Sequence, residues 1–498
     1  MSGAEESVVA GITGAGEDVL AGDGQAGNRF VRGAGLRGAA YSFGLLFGAT
    51  VTPFITRHLG TVDWGRYVTV SSLMLISVAI TEGGLASLGV REFSAGVENR
   101  REYLQALMGL RLLTALVAAG ASLAFAVIAG YPQVMIIGVA ISCVGNVIAN
   151  LQATLSVVLV ATLRIGWLAL NDFLTQTVGA CMMLVLVLLG ASLLPFYATT
   201  TVAAFCALAV TAAVVRGQVS LVPRFDLARW RSLASDSLIY AAATALGVTY
   251  FQIVAVAAHQ LTGAVQTGWF AFAFRVLTIV NALPWILAST AFPILTRAAV
   301  DDVVRLRHAL GRLYEVGLLA GGVFTIGLVF GAPVIVTVAG GPNFHGAISV
   351  LRILGAGAPA TWLVAVWAYT LLSLKAYRPL IIANGIAVLV AVGLCLVLIP
   401  AHGAQGASIV TAALEVILAG EYGVILMRRP EGISADPART ARIALVYALA
   451  FAAGVLVPSG SLARTGSALA VFALAVLVLG LFPAEFVAAI RSGGRSAA

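Results

Sequence analysis

Fourteen long apolar runs, separated by short breaks that hold charge, proline or glycine, organise this chain. They cover residues 36–57, 66–88, 104–129, 134–161, 166–190, 195–215, 236–260, 267–291, 313–338, 348–373, 379–400, 404–427, 440–458 and 463–484. A run of about 20 apolar residues is the length a helix needs to cross the hydrocarbon of a bilayer. The runs are continuous rather than alternating every second residue, so they predict helices and not a membrane β-barrel. The fold class expected is therefore an all-α polytopic membrane protein. Two breaks are long enough to carry structure of their own. In the break from Arg216 to Asp236, the run FDLARWRSLASDS has an aspartate ahead of an apolar and basic helical pattern, which predicts a short interfacial helix. The break from Arg297 to Arg312 has a similar pattern and reads as a solvated linker.

The charges test this division, because short cytoplasmic loops collect Lys and Arg. Alternate breaks do separate. One side holds Arg29, Arg32 and Arg37, then Arg91, Arg100, Arg101 and Arg111, then Arg164, then Arg216, Arg224, Arg229 and Arg231. It continues with Arg297, Arg305, Arg307 and Arg312, then Lys375 and Arg378, then Arg428, Arg429, Arg439 and Arg442, and finally Arg491 and Arg495. The other side holds only Arg57, Arg66, Arg352 and Arg464. With Arg275, these are all 29 basic residues. Both termini are expected in the cytoplasm.

Composition sharpens the class. The chain is 60% hydrophobic and 10% charged, against roughly 25% charged in soluble domains. Its net charge of +8 is spread between spans rather than gathered on a polar domain, so nucleic acid is not an expected partner. Cys143, Cys181, Cys206 and Cys395 each fall inside an apolar run without ligand spacing, which implies packing roles and neither a disulfide framework nor a metal site. The first residues are Gly-rich and acidic, lack the pattern of a secretory signal, and read as a disordered cytoplasmic tail over 1–34.

One arginine breaks the charge rule from inside a span. Arg275 lies in GWFAFAFRVLTIVNALPWILASTAFPILTR, residues 268–297, about 10 Å from the outer end of its helix. Arginine near the middle of a spanning helix costs roughly 2.5–3.5 kcal/mol, so it is expected to face protein or a water-filled cavity. A structural arginine, paired or snorkelling outward, is the competing reading. The same stretch opens on Gly263-xxxx-Gly268-x-Phe270, and Gly60-xxxx-Gly65-x-Tyr67 repeats that spacing 203 residues earlier. Six spans separate the copies, which predicts two halves of the same orientation related by a pseudo-two-fold axis along the membrane normal.

Several segments carry a family likeness: PFITRHLGTVDWGRY from Pro53 to Tyr67, TEGGLASLGVREFS from Thr81 to Ser94, the arginine-bearing helix ending in Phe292-Pro293-Ile294-Leu295-Thr296-Arg297, and PAHGAQGASIVTAALE from Pro400 to Glu415. The chain thereby resembles the multidrug/oligosaccharidyl-lipid/polysaccharide flippase superfamily and, within it, the polysaccharide repeat-unit flippases. The resemblance implies a transporter of the bacterial inner membrane with two six-helix lobes around a central cavity that faces the two sides alternately. Its substrate would be a polyprenyl-pyrophosphate-linked oligosaccharide, its surroundings membrane lipids, and its candidate partners a polysaccharide polymerase and glycosyltransferases. The organisation expected is a tail over 1–34, an N-terminal lobe over 35–217, a cytoplasmic linker helix over 218–235, a C-terminal lobe over 236–428, and two extra spans with a short tail over 429–498. No cofactor is implied.

On this reading Arg275 contacts the pyrophosphate, for which a guanidinium offers planar fork geometry, and Thr278 one turn on extends a polar cavity wall. Arginines on the first helix, expected from the family, are not matched: Arg57 lies at the outer end, and Ser42, Thr50 and Thr52 occupy the middle. Asn146, Asn150 and Gln252 are candidates for substrate contact, with hydrogen bonding between helices as the plainer reading. Asp172, on one stripe with Thr175 and Gln176, is a candidate proton or sodium site or a partner for an arginine, or a residue of the interface with no special role, and Glu415 is a candidate for ion coupling or for satisfying a helix contact. Glu421 faces a different way from Glu415. Glu82 either pairs with Arg91, lines a cytoplasmic gate, or caps a loop. Neither a Ser/His/Asp array nor a GxxxxGK loop is present, which gives no support to hydrolysis or ATP-driven transport by this chain, so no catalytic residue is assigned. The alternatives to a flippase are an ion-coupled exporter of small cationic drugs from the same superfamily and a non-transporting membrane scaffold.

Overall fold

The computed structural model describes residues 24–481 apart from 83, 86–88, 91–92, 94–99, 163, 217–222, 302, 430–435 and 459. The helices in order are α1 Gly24–Glu82, α2 Arg100–Ile128, α3 Gln133–Ala161, α4 Ile165–Leu188, α5 Leu193–Val215, α6 Leu227–Leu261 and α7 Ala264–Asp301. They continue with α8 Val303–Ile335, α9 Ala347–Ala356, α10 Ala358–Ser373, α11 Tyr377–Met427, α12 Pro437–Leu456 and α13 Ser461–Val478. Among the described residues 11 helices are long and apolar enough to cross a membrane, and the pair α9 and α10, bent by 46°, makes a twelfth crossing. Two of those helices are double. α1 has non-helical backbone at Gly60 (φ 69°, ψ −176°) and α11 at Gly403 (φ 57°, ψ −129°). Divided there, the described residues carry the fourteen membrane-length segments read from the sequence. Leu188, Leu389, Leu396 and Val478 are among the large apolar side chains left exposed, as a surface facing lipid requires and one facing water does not. This is a multi-pass membrane protein.

The chain forms two compact units. The first takes in the described residues up to Leu59 together with Tyr67–Gln252; the second takes in Gly60–Arg66 together with the described residues from Ile253 onward. The turn of the first hairpin is thus built into the second unit.

In the first unit α3 packs on α5, α2 on α3 and α4 on α5. Small residues set the closest approach: a side chain at Gly138 would meet the Tyr197 ring, and one at Gly145 would meet Thr201. Thr201 Oγ1 donates to Ile141 O at 3.0 Å across the same crossing. A knot of amides ties three helices: Asn171 Nδ2 of α4 (2.6 Å) and Gln152 Nε2 of α3 (3.3 Å) both donate to Thr211 Oγ1 of α5. At one end Leu85, Phe93, Tyr103, Leu107, Val158 and Trp230 form a core. The residues leading into α6 dock there: Arg224 N donates to Gln105 O at 3.0 Å and Trp230 Nε1 to Ala106 O at 2.8 Å. The FDLARWRSLASDS run is the opening of α6, a continuous 35-residue helix that also forms the seventh span.

In the second unit α10 is the most enclosed helix, buried from Ala358 to Ser373 along most of its length and packed by α7, α8 and α11. The hairpin of α12 and α13 docks on α8 through Ile326 and Phe330 against Ile443, Val446, Ala450 and Phe472. Polar contacts fix the depth of that docking. Glu315 on α8 accepts from Arg439 Nη1 of α12 at 2.7 Å and from Arg312 Nη1 at 3.3 Å, and Tyr447 Oη donates to Leu318 O at 2.6 Å.

Candidate functional site

The two copies of the glycine-spaced turn meet. Gly60–Arg66 and Gly263–Gly268 both belong to the second unit, and a Cβ placed on Gly65 would lie 2.9 Å from Gly268 N. A Cβ on Gly268 would run into the Thr61 carbonyl. Each copy needs glycine because the backbone of the other occupies the space of a side chain. A third glycine break joins them: Gln266, inside the second copy, accepts through Oε1 from Ala404 N at 3.0 Å, beside Gly403. The backbone at Gly403 is left-handed, and a side chain there would meet Gln266.

These contacts position α7. Its first turns are also held by Trp269 Nε1, which donates to Asn343 O at 3.1 Å, and by Phe272, whose ring centroid lies 5.1 Å from that of Phe344. Phe270, Phe274 and Leu277 are buried, which turns the opposite face of the helix outward. On that face sits Arg275, exposed, about 16 Å along the helix from Ala264. Thr278, half-buried, follows one turn on, its hydroxyl donating to Arg275 O at 2.8 Å. The face continues through Trp285 and Ser289, both exposed, at the spacing that keeps residues on one side of a helix. Trp285 makes an edge contact with Tyr369 of α10, centroids 5.9 Å apart. Sequence reasoning found the first two members of this line and missed the last two, although their helical spacing from Arg275 was legible.

The remaining candidates lie on other helices. Asn146 and Asn150 lie in the first unit, on α3. Asn146 Nδ2 lies 3.5 Å from Met74 O, and Asn150 Nδ2 donates to Asn146 O at 3.0 Å and approaches Thr81 Oγ1 at 3.5 Å. Gln252 is buried on α6, its Oε1 without a hydrogen-bond partner among the described residues. Asp172 is half-buried on α4, while Thr175 and Gln176 are exposed; Gln176 packs against Gly44. Glu415 is 3% exposed on α11, close enough for its charge and that of Glu421 to act on Tyr422, whose hydroxyl donates to Asn384 Oδ1 at 2.7 Å. Glu82 is exposed at the end of α1. Among the described residues no group of His, Cys, Asp and Glu could hold a metal ion.

One charge was read only as part of a loop count. Arg111 lies within α2, is 0% exposed, and none of its three guanidinium nitrogens has a hydrogen-bond partner among the described residues. The charge of Glu82 acts on it. Its position seven residues inside the third apolar run was the available signal.

The family model for "Polysaccharide biosynthesis protein" matches residues 30–299, more than half of the chain and the whole stretch from the first hairpin to the end of the arginine-bearing span. The chain belongs to this polysaccharide biosynthesis family. No curated sequence relative matches it. Among solved structures, the chain is similar to the lipid II flippase MurJ in an inward closed conformation. The identity is 13% and the TM-score 0.72, with 89% of this chain and 98% of that chain covered. It is similar to an inward-facing multidrug resistance MATE family transporter at 13% identity and a TM-score of 0.64, covering 80% of this chain and 95% of the other. A transporter of the multidrug/oligosaccharidyl-lipid/polysaccharide superfamily from Pyrococcus furiosus shares 13% identity at a TM-score of 0.58, with 86% and 97% covered. The fold is that of this transporter superfamily, as the sequence motifs implied.

Proposed function

We propose that this member of the polysaccharide biosynthesis family flips a polyprenyl-pyrophosphate-linked oligosaccharide across the bacterial inner membrane by alternating access, with both termini in the cytoplasm. The observation that carries the reading is the line Arg275, Thr278, Trp285 and Ser289 on the exposed face of α7, inside a membrane-length segment. A lipid-facing surface with an arginine, a threonine and a serine along about 21 Å of helix would be expensive. A face that meets a charged and hydroxyl-rich substrate makes that composition favourable. A guanidinium binds a diphosphate through paired charge-assisted hydrogen bonds, and an indole offers an apolar surface to a sugar ring. The lipid tail stays in the bilayer while the head group passes.

In this reading Glu415, the most buried of the carboxylate candidates, is the residue to examine for ion coupling; Asp172 and Glu82 are more accessible. The polymerase and glycosyltransferases of the same polymer are the proposed partners. The test is transport of a fluorescent polyprenyl-pyrophosphate oligosaccharide in reconstituted vesicles. Arg275→Ala is expected to lower transport at least tenfold, equivalent to about 1.4 kcal/mol or more, and Arg275→Lys to retain part of it. Unchanged transport by a correctly inserted Arg275→Ala protein refutes the assignment.

A further inference from the structure

The breaks read as outer hold only four cations, and two of them converge. Arg352 on α9 and Arg464 on α13 line one cleft of about 360 Å³ in the second unit. Phe330 and Pro333 of α8 and Pro458 form its apolar side, and Gly460 and Ser461, where α13 begins, complete it. Each guanidinium is held by its Nε: that of Arg352 donates to Val329 O at 3.2 Å and that of Arg464 to Val457 O at 3.0 Å. Both bonds fix the direction of the side chain, and among the described residues the terminal nitrogens have no acceptor. Among the described residues no acidic side chain lines the cleft, and neither arginine forms an ion pair.

From this arrangement we propose that the cleft binds the phosphate of an anionic phospholipid in the outer leaflet. Two guanidiniums facing one cleft repel each other unless an anion lies between them, and phosphate is the anion whose oxygens match paired guanidinium donors. The start of α13 adds the partial positive charge of a helix N-terminus, and its cap Gly460 supplies no side-chain acceptor for the free N–H groups. The apolar side argues for a lipid over a free ion. A bare phosphate gains nothing from Phe330, Pro333 and Pro458, whereas the glycerol and first methylenes of a lipid bury surface there. At about 360 Å³ the cleft is of the size that takes a small organic group. Its place fits as well, because α12 ends and α13 begins here at one end of two membrane-length helices. The site involves neither α7 nor Arg275, so it stands or falls apart from the transport reading.

The experiment is native mass spectrometry of the full chain in detergent, titrated with phosphatidylglycerol, with phosphatidylcholine and with inorganic phosphate. The wild-type chain is expected to retain phosphatidylglycerol in preference to phosphatidylcholine. Arg352→Gln combined with Arg464→Gln should weaken phosphatidylglycerol binding at least tenfold, and Arg428→Gln, an exposed arginine of the opposite charge class of loops, should leave it unchanged. The pair Arg352→Lys and Arg464→Lys keeps the charges and should retain most of the binding, which separates lost charge from lost folding. Equal binding by the double Gln variant overturns the proposal. So does displacement of the lipid by inorganic phosphate at equal concentration, which would identify the cleft as a site for a soluble anion.

Discussion

Gly268→Ala adds one methyl group at the contact between the two glycine-spaced turns, and the structure sets the size of the effect. Position 268 is helical and within α7, so by propensity alone alanine is better than glycine by about 0.8–1.0 kcal/mol. Against this, the new Cβ would run into the main-chain carbonyl of Thr61. A backbone carbonyl cannot rotate away as a flexible side chain does, so one turn must retreat from the other. Overpacking of this kind costs about 1–3 kcal/mol. Gly327, within α8 of the same unit, is the matched control, since a Cβ there meets nothing within 4 Å. Gly327→Ala is expected to raise stability by about the propensity difference, roughly 1 kcal/mol. Gly268→Ala should fall about 1–3 kcal/mol below that control, and Gly268→Val further still. Gly65→Ala presses on the same contact from the other side, so its effect and that of Gly268→Ala are expected not to add. Unfolding in mixed detergent micelles, followed by tryptophan fluorescence, measures all four. A Gly268→Ala chain as stabilised as Gly327→Ala would refute the claim that the turns touch through these two residues.

Two further substitutions probe one buried charge and one half-buried charge. Arg111 lies enclosed with no hydrogen-bond partner among the described residues, so Arg111→Met, which keeps the length and removes the charge, is expected to raise stability by about 1–4 kcal/mol in the same unfolding assay; a loss of stability would mean that the charge is needed where it stands. Glu315 ties α12 to α8 through Arg439, and Glu315→Ala should loosen the α12–α13 hairpin, costing about 1–3 kcal/mol and increasing proteolysis between residues 428 and 437; unchanged cleavage there would show that the apolar packing of Phe330 and Phe472 is sufficient.

The fold was legible because membrane crossing leaves few options. Once the runs 36–57 to 463–484 are long and apolar, helices follow, and the charge asymmetry fixes their number. Side-chain direction was less legible. Arg275 could be picked out because one charge in an apolar run is costly wherever it points, but whether it faced protein depended on Phe270, Phe274 and Leu277 being the buried side of α7, and apolar residues on every side of the helix leave that undetermined in the sequence. Arg111 was missed for the converse reason. It stands near enough to Arg100 and Arg101 to be counted with them as a loop charge, while the structure encloses it within α2. Asn146, Asn150 and Gln252 stand out in the sequence as amides inside apolar runs, yet which groups they meet depends on helix pairing, which the sequence of a bundle does not specify.

The glycine-spaced repeat takes on a different meaning once its copies are seen to touch. An internal repeat is ordinarily two equivalent pieces doing the same thing in two places. Here Gly65 lacks a side chain because Gly268 N is 2.9 Å from where its Cβ would be, and Gly268 lacks one because Thr61 O is in the way. The two glycines satisfy one steric condition between them, so neither copy would be free to change alone. Gln266 extends the condition to a third break, since its side chain fills the space over Gly403 and accepts from Ala404 N. Gly60–Arg66 is separated from Gly263–Gly268 by six spans in sequence but belongs to the same unit in space. At its second glycine, Gly65 in one copy and Gly268 in the other, the repeat therefore marks a contact.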